Sequence, residues 1–170
     1  MILQSKEFTI LLFVCLLVFI YVNYLRKNLH LDLIKSEENN IEYYVRKLPD
    51  KQDAANRLGK LSLGLSQLIN HCKQSETKKE EITKLSDNFN SESITENIPG
   101  SKFVAYSVNK GEELSICIRD PNSNEFIDTN TVHFVAIHEL AHIMTKEIGH
   151  PPEFWDNMRY LLEKASEIGL

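Results

Sequence analysis

The pentapeptide His138-Glu139-Leu140-Ala141-His142 constrains this chain more than any other stretch of it. Two histidines four residues apart share a face on an α-helix, one turn above the other. Their surroundings (Val132, Val135, Ala136, Ile137, Leu140, Ala141, Ile143 and Met144) are apolar on most sides, so the helix is expected to be buried. A buried helix that carries two imidazoles and a carboxylate has to find each of them a partner. Asp128 or Thr129 is placed to cap its start. Gly149 can end it in a left-handed conformation, and Pro151-Pro152 forbids continuation and opens another helix at about Pro152.

The spacing has a chemical reading. Imidazoles at i and i+4 can reach one cation, and zinc accepts neutral imidazole nitrogen at about 2.0–2.1 Å. A reactive zinc site needs a third protein ligand and keeps one position open for water. His138 and His142 are the first two candidates, and His150 is the third, because the chain turns back where it stands. Glu153, in the first turn of the next helix, is the alternative ligand, and Asp156 lies farther away. Glu139 projects beside the metal position, where a carboxylate can take the proton of a bound water during attack on a carbonyl. His133 precedes His138 by five residues, points elsewhere on the helix and is read as structural. Tyr160 is a weaker candidate as a phenol donor to a developing oxyanion, and nothing supports Cys72 as a capping thiolate.

At the other end, Phe8 to Leu25 carries no formal charge over 18 residues. As a helix that is about 27 Å, close to hydrocarbon thickness. No small-x-small cleavage site follows, so the segment reads as an uncleaved single-pass anchor within residues 1–27. Arg26, Lys27 and Lys35 after the span, against Lys6 beside Glu7 before it, lean towards a cytoplasmic C-terminal domain. Unpaired Cys72 and Cys117, and fourteen Asn with no N-x-[ST] acceptor, lean the same way. A net charge of −5 argues against a nonspecific nucleic-acid binder, so no nucleic-acid partner is expected.

Between the two ends, residues 28–101 read as a helical region with a polar linker. Residues 30–48 look partly helical, with Ile41, Tyr44, Val45 and Leu48 on one face. Residues 50–73 form an amphipathic helix, and 73–101 a solvated helix or loop. Residues 102–170 form the core unit. FVAYSV and ELSICI flank Asn109-Lys110-Gly111 as a β-hairpin, and matching of apolar faces favours a three-residue loop that opposes Tyr106 to Leu114 and Val104 to Ile116. A last helix, 152–168, is expected to clamp the HExxH helix through Trp155.

With GHPPEFW following HELAH, the sequence resembles the zincin metallopeptidases, and within them the small WLM-like and minimal gluzincin-like groups. It is also similar to short membrane-anchored metallopeptidases of large DNA viruses. The metzincin pattern, which needs Gly at position 145, is excluded by Thr145. The resemblance implies zinc bound by His138 and His142, a third ligand shortly downstream, Glu139 as general base, and an antiparallel edge strand above the metal helix, which the 103–118 hairpin is placed to supply. The fold class expected is therefore α+β: an N-terminal transmembrane helix, then a small, mostly helical zincin-like domain with a β-hairpin or short antiparallel sheet. The function expected is a membrane-anchored zinc metallopeptidase acting on protein or peptide. A catalytically inactive zinc-binding membrane scaffold is the alternative, and hydrolysis of a non-peptide amide a third reading.

Overall fold

A computed structural model describes residues 5–101, 104–108 and 111–170, apart from the side chains of 5–7, 23–28 and 108. The chain runs α1 (Ser5–His30), β1 (Leu31–Lys35), β2 (Glu42–Arg46), α2 (Lys51–Cys72), α3 (Lys79–Asn88), β3 (Ile94–Glu96), β4 (Ala105–Val108), β5 (Glu113–Ile116), α4 (Thr129–Met144) and α5 (Pro152–Glu167). Five strands make one mixed sheet in the order β1-β2-β3-β5-β4. The outer pairs, β1–β2 and β5–β4, are antiparallel, and β3 pairs parallel with both β2 and β5. Strands from both sides of residue 101 thus join one sheet, in place of an isolated hairpin or a short antiparallel sheet.

The region expected to be partly helical, 30–48, is the β1–β2 hairpin. Glu-Tyr-Tyr-Val-Arg alternates with period two, burying Tyr43 and Val45 completely. Asn40 turns the chain at φ 61°, a left-handed conformation that Asn tolerates well. The segment read as solvated, 73–101, contains α3 and the central strand β3. All three residues of β3 are buried. Its Glu96 is satisfied inside the protein: the Arg46 amide donates to it at 2.7 Å and Arg119 Nε at 2.8 Å. Arg119, itself 1% exposed, also donates to both carboxylate oxygens of Asp50, at 2.7 and 2.9 Å. Arg119 further lies 4.0 Å from the centre of the Phe126 ring.

The hairpin register differs from the expectation. Tyr106 opposes Ser115, and Ser107 opposes Leu114. Tyr106 therefore lies on the face opposite Leu114 and Ile116, and Ala105 and Ser107 share the core face with them. The physical reason is that β4 is the edge strand and runs against α4, so small side chains face inward there. Asn109 and Lys110 lie outside the described residues. Gly111, on the far side of the turn, has φ 121°, and a Cβ there would meet the Asn88 carbonyl oxygen at 2.6 Å.

α2 covers β1, β2 and β3 and also meets α3, α4 and α5. Its stripe of Ala54, Ala55, Leu58, Leu61, Leu65, Leu68, Ile69 and Cys72 is buried, as its spacing predicts. α4 runs beneath β4 and β5 and packs on α5. One apolar cluster joins the sheet to α2, α3, α4 and α5.

α1 corrects the membrane reading. Among the described residues no helix is long and apolar enough to cross a membrane, which overturns the single-pass anchor and the topology inferred from its flanks. The apolar run before the polar Asn23, Phe8 to Val22, is fifteen residues. That is about 22 Å of helix against about 30 Å of hydrocarbon. The side chains of the flanking charges Lys6, Glu7, Arg26 and Lys27, and of Tyr24, lie outside the described residues.

Candidate metal centre

α4 starts where Asp128 accepts a hydrogen bond from the Thr131 amide at 3.0 Å, the capping predicted from sequence. It ends earlier than Gly149, at Met144, because Thr145 turns extended (φ −80°, ψ 139°) and its hydroxyl bonds the Ala141 carbonyl at 2.7 Å. Gly149 nonetheless has a positive φ of 92° and turns the segment leading into α5. A chain of contacts fixes this corner. Asn157 donates to the Thr145 hydroxyl at 3.2 Å, Lys78 Nζ donates to Asn157 at 2.9 Å, and Lys84 Nζ donates to the Thr145 carbonyl at 2.9 Å.

This corner brings His150 back over α4. The ligand atoms of His138, His142 and His150 all lie within 4.8 Å of one another, so the group could hold a metal ion. His138 Nε2 is 3.2 Å from His142 Nε2 and 3.2 Å from His150 Nε2. A tetrahedral zinc with nitrogens at 2.0–2.1 Å separates them by about 3.3 Å. A neutral imidazole nitrogen facing two others can share only one proton with them. The convergence therefore suits a cation better than a hydrogen-bonded trio. The donor set, three imidazoles and no thiolate, matches zinc sites that leave a position open. Glu153 is not in the group; its carboxylate accepts from the Lys146 amide at 3.4 Å.

Phe154 forms the floor. It is fully buried, with its ring centre 4.9 Å from His138, 4.5 Å from His142 and 4.6 Å from His150. Trp155, expected to be the clamp, is 55% exposed and stacks outside on His150 at 5.8 Å. The buried stripe of α5 is Phe154, Met158, Leu161 and Ala165, at steps of four, three and four. The buried face of α5 therefore begins at Phe154 and not at its larger neighbour Trp155. Tyr160 faces away from the histidines, beside the Cys72 thiol, and burial pushes that thiol up to about 11. His133 also lies apart, lining a cavity of about 400 Å³ with Arg57 and Phe126.

Burial and the charges of His138 and His150 bring His142 down to about 4. Burial, then His150, lowers His138. Both are therefore held in the neutral form that a metal requires. Glu139, next to the first imidazole, is 8% exposed. Burial raises its carboxyl, and the main-chain amide of Ser107 on β4 pulls it the other way. Ser107 gave no sequence signal, since the expected register placed it off this face.

The fold and the site together define an α+β domain with an HExxH helix below an edge strand and a third histidine returning from the next turn. The WLM domain model matches residues 37–170, and the chain belongs to that family. Among individual proteins, it is 29% identical over 141 residues to uncharacterized protein R325 of Acanthamoeba polyphaga mimivirus, covering 81% of this chain and 72% of that one. It is 35% identical over 68 residues to uncharacterized protein 136R of Invertebrate iridescent virus 6, covering 39% of this chain and 38% of that protein. Its fold is similar to crystal structures of Wss1. The Saccharomyces cerevisiae protein matches with TM-score 0.57 and 18% identity over 74% of this chain and 90% of that one. The S. pombe protein matches with TM-score 0.53 and 24% identity over 79% and 99%.

Proposed function

We propose that this chain is a zinc metallopeptidase. His138, His142 and His150 hold the metal, and Glu139 serves as general base. The observation that carries the proposal is the approach of two imidazole nitrogens to within 3.2 Å of His138 Nε2, beside a buried carboxylate one residue away. Membership of the WLM family and the Wss1-like fold support the same reading. A bound zinc supplies Lewis acidity, lowering the pKa of a water to near 7 and polarising the scissile carbonyl. Glu139 takes the proton from the attacking water as the oxygen bonds to the carbonyl carbon, then delivers it to the departing amine as the C–N bond breaks.

The substrate is a protein or peptide in extended form. Cys117 donates its amide to the Val104 carbonyl at 2.8 Å, which fixes the hydrogen-bonding parity of the hairpin. The Ala105 main-chain groups and the Ser107 carbonyl then point away from β5, towards the sheet's edge, while the Ser107 amide is engaged by Glu139. An extended peptide can pair with such an edge, as in other cases of strand addition.

The test is cleavage of an unstructured protein by the full chain, with and without chelator, beside Glu139→Gln. The expected result is chelator-sensitive cleavage that Glu139→Gln abolishes while zinc content stays at one per chain. Equal turnover by Glu139→Gln refutes the assignment.

A further inference from the structure

We infer that Trp155 is a positioning residue for the metal centre: with Phe154 its indole forms an aromatic corner that holds the His150 ring aimed at the zinc position. The inference rests on the reading above that makes His150 the third ligand. Three observations carry it.

First, the three histidines differ in what fixes them. His138 and His142 stand within the continuous helix α4. His150 stands between α4 and α5, next to the positive φ of Gly149, and is exposed. Pro151 and Pro152 restrain the backbone that follows it, but not the two side-chain torsions that aim the ring. Second, a ligand imidazole is ordinarily oriented by a hydrogen bond from its other ring nitrogen to a carboxylate or carbonyl. Among the described residues His150 has none outside the trio; its hydrogen-bond contact is the 3.2 Å approach to His138. Third, two aromatic rings meet it. Phe154 lies at 4.6 Å and 75° between planes, and Trp155 at 5.8 Å and 33°. The two are themselves edge to face at 5.2 Å. All three separations fall in the range where rings attract. Phe154 touches every histidine of the trio, whereas Trp155 touches His150 alone.

The indole has little part in the core. It is 55% exposed and lies off the buried stripe of α5. Its place is nonetheless fixed, because the Phe154 and Trp155 amides donate to the Pro151 carbonyl at 2.9 and 3.4 Å. The helical turn that carries both rings therefore begins one residue after the ligand they support. A flat apolar face does for His150 what a hydrogen-bonded carboxylate does at other metal sites. It disfavours rotamers in which the imidazole swings out to solvent, so less freedom is lost when the nitrogen takes a metal.

The test titrates zinc into the metal-free full chain against a chelating indicator, with no substrate present. Trp155→Ala is expected to bind zinc about tenfold more weakly, the low end of what losing a ligand's outer partner costs, with the thermal midpoint of the metal-free chain unchanged. Trp155→Phe keeps a ring at the position and binds within about twofold of wild type. Trp155 is the single tryptophan of the chain, so its emission reports the contact without metal. In the metal-free chain, His150→Ala is expected to shift that emission. Wild-type zinc affinity in Trp155→Ala overturns the inference, and a raised KM beside it marks the indole as a substrate contact instead. So does a Trp155→Phe variant as weak as Trp155→Ala, an emission that His150→Ala leaves unchanged, or a loss of affinity accompanied by a lower metal-free thermal midpoint, which marks a merely structural role. The expected zinc affinities in a chain that cleaves nothing overturn the peptidase reading and leave the inference standing. A wild-type chain that takes up no zinc overturns both.

Discussion

Replacing Glu96 with alanine tests what holds the middle of the sheet together. Glu96 and Arg119 are each 1% exposed, and Glu96 accepts Arg119 Nε at 2.8 Å and the Arg46 amide at 2.7 Å. The substitution removes both acceptors at once. Arg119 keeps Asp50, at 2.7 and 2.9 Å, so its charge is not wholly abandoned. Removing one partner of a buried pair costs about 3–5 kcal/mol, and the surviving Asp50 contact places the expectation near the lower end, about 3 kcal/mol. With a urea slope of about 2 kcal/mol per molar, the midpoint falls by about 1.5 M. Urea unfolding followed by circular dichroism measures it. Glu96→Leu combined with Arg119→Met deletes both charges; the 40%-exposed Asp50 is left to water, and Arg46, whose Nε lies 3.7 Å from Glu96, keeps the Asn97 carbonyl at 2.9 Å. That double variant is expected to be more stable than Glu96→Ala, because Arg119 is no longer left buried with one carboxylate fewer. A midpoint for Glu96→Ala within about 0.3 M of wild type, less than about 1 kcal/mol at that slope, refutes the reasoning. A double variant weaker than the single one refutes it too.

Two further predictions concern acid stability and the hairpin. His142 titrates at about 4 in the folded metal-free chain against an ordinary 6.5, so the unfolded chain takes up its proton first as pH falls. The stability His142 confers is complete above about 6.5, declines as pH drops and is exhausted near 4; Glu139, raised by burial, works in the opposite sense. Urea midpoints of metal-free wild type and His142→Asn between pH 4 and 7 isolate the difference, and parallel curves would contradict the assignment. Gly111→Ala must strain a φ of 121° and push against the Asn88 carbonyl oxygen at 2.6 Å. It is expected to cost at least about 1 kcal/mol, read as a lower urea midpoint; a midpoint equal to wild type would show that the turn can relax.

α2, α4 and α5 were legible because each of their signals is local. The three- and four-residue steps of α2, the Asp128 cap of α4 and the proline start of α5 each reside within one segment. The strands were harder. Glu-Tyr-Tyr-Val-Arg is too short to separate period two from a helical face. β3 has a single aliphatic residue and owes its central place to Arg119, more than twenty positions later, and to Arg46, fifty positions earlier. Face matching placed the apolar residues of both hairpin strands on one side, which fails for an edge strand whose inner face must stay small beneath a helix. At the site, His138 and His142 carry an explicit spacing and His150 only the signal of a turn, and the structure brings the three within 4.8 Å of one another. Phe154 was passed over for its larger neighbour, and Ser107 depends on a register that only long-range pairing fixes. The N-terminal run is uncharged from Phe8 to Leu25 but includes Asn23, and among the described residues no helix is long and apolar enough to cross a membrane.

X-ray absorption at the zinc edge of the metal-loaded full chain, beside His150→Ala, tests the central claim most directly. Three imidazole nitrogens at about 2.0–2.1 Å with one oxygen are predicted for wild type, and two imidazoles for the variant. A sulfur shell, or a wild-type spectrum unchanged by His150→Ala, would contradict the three-histidine centre on which the proposed hydrolysis depends.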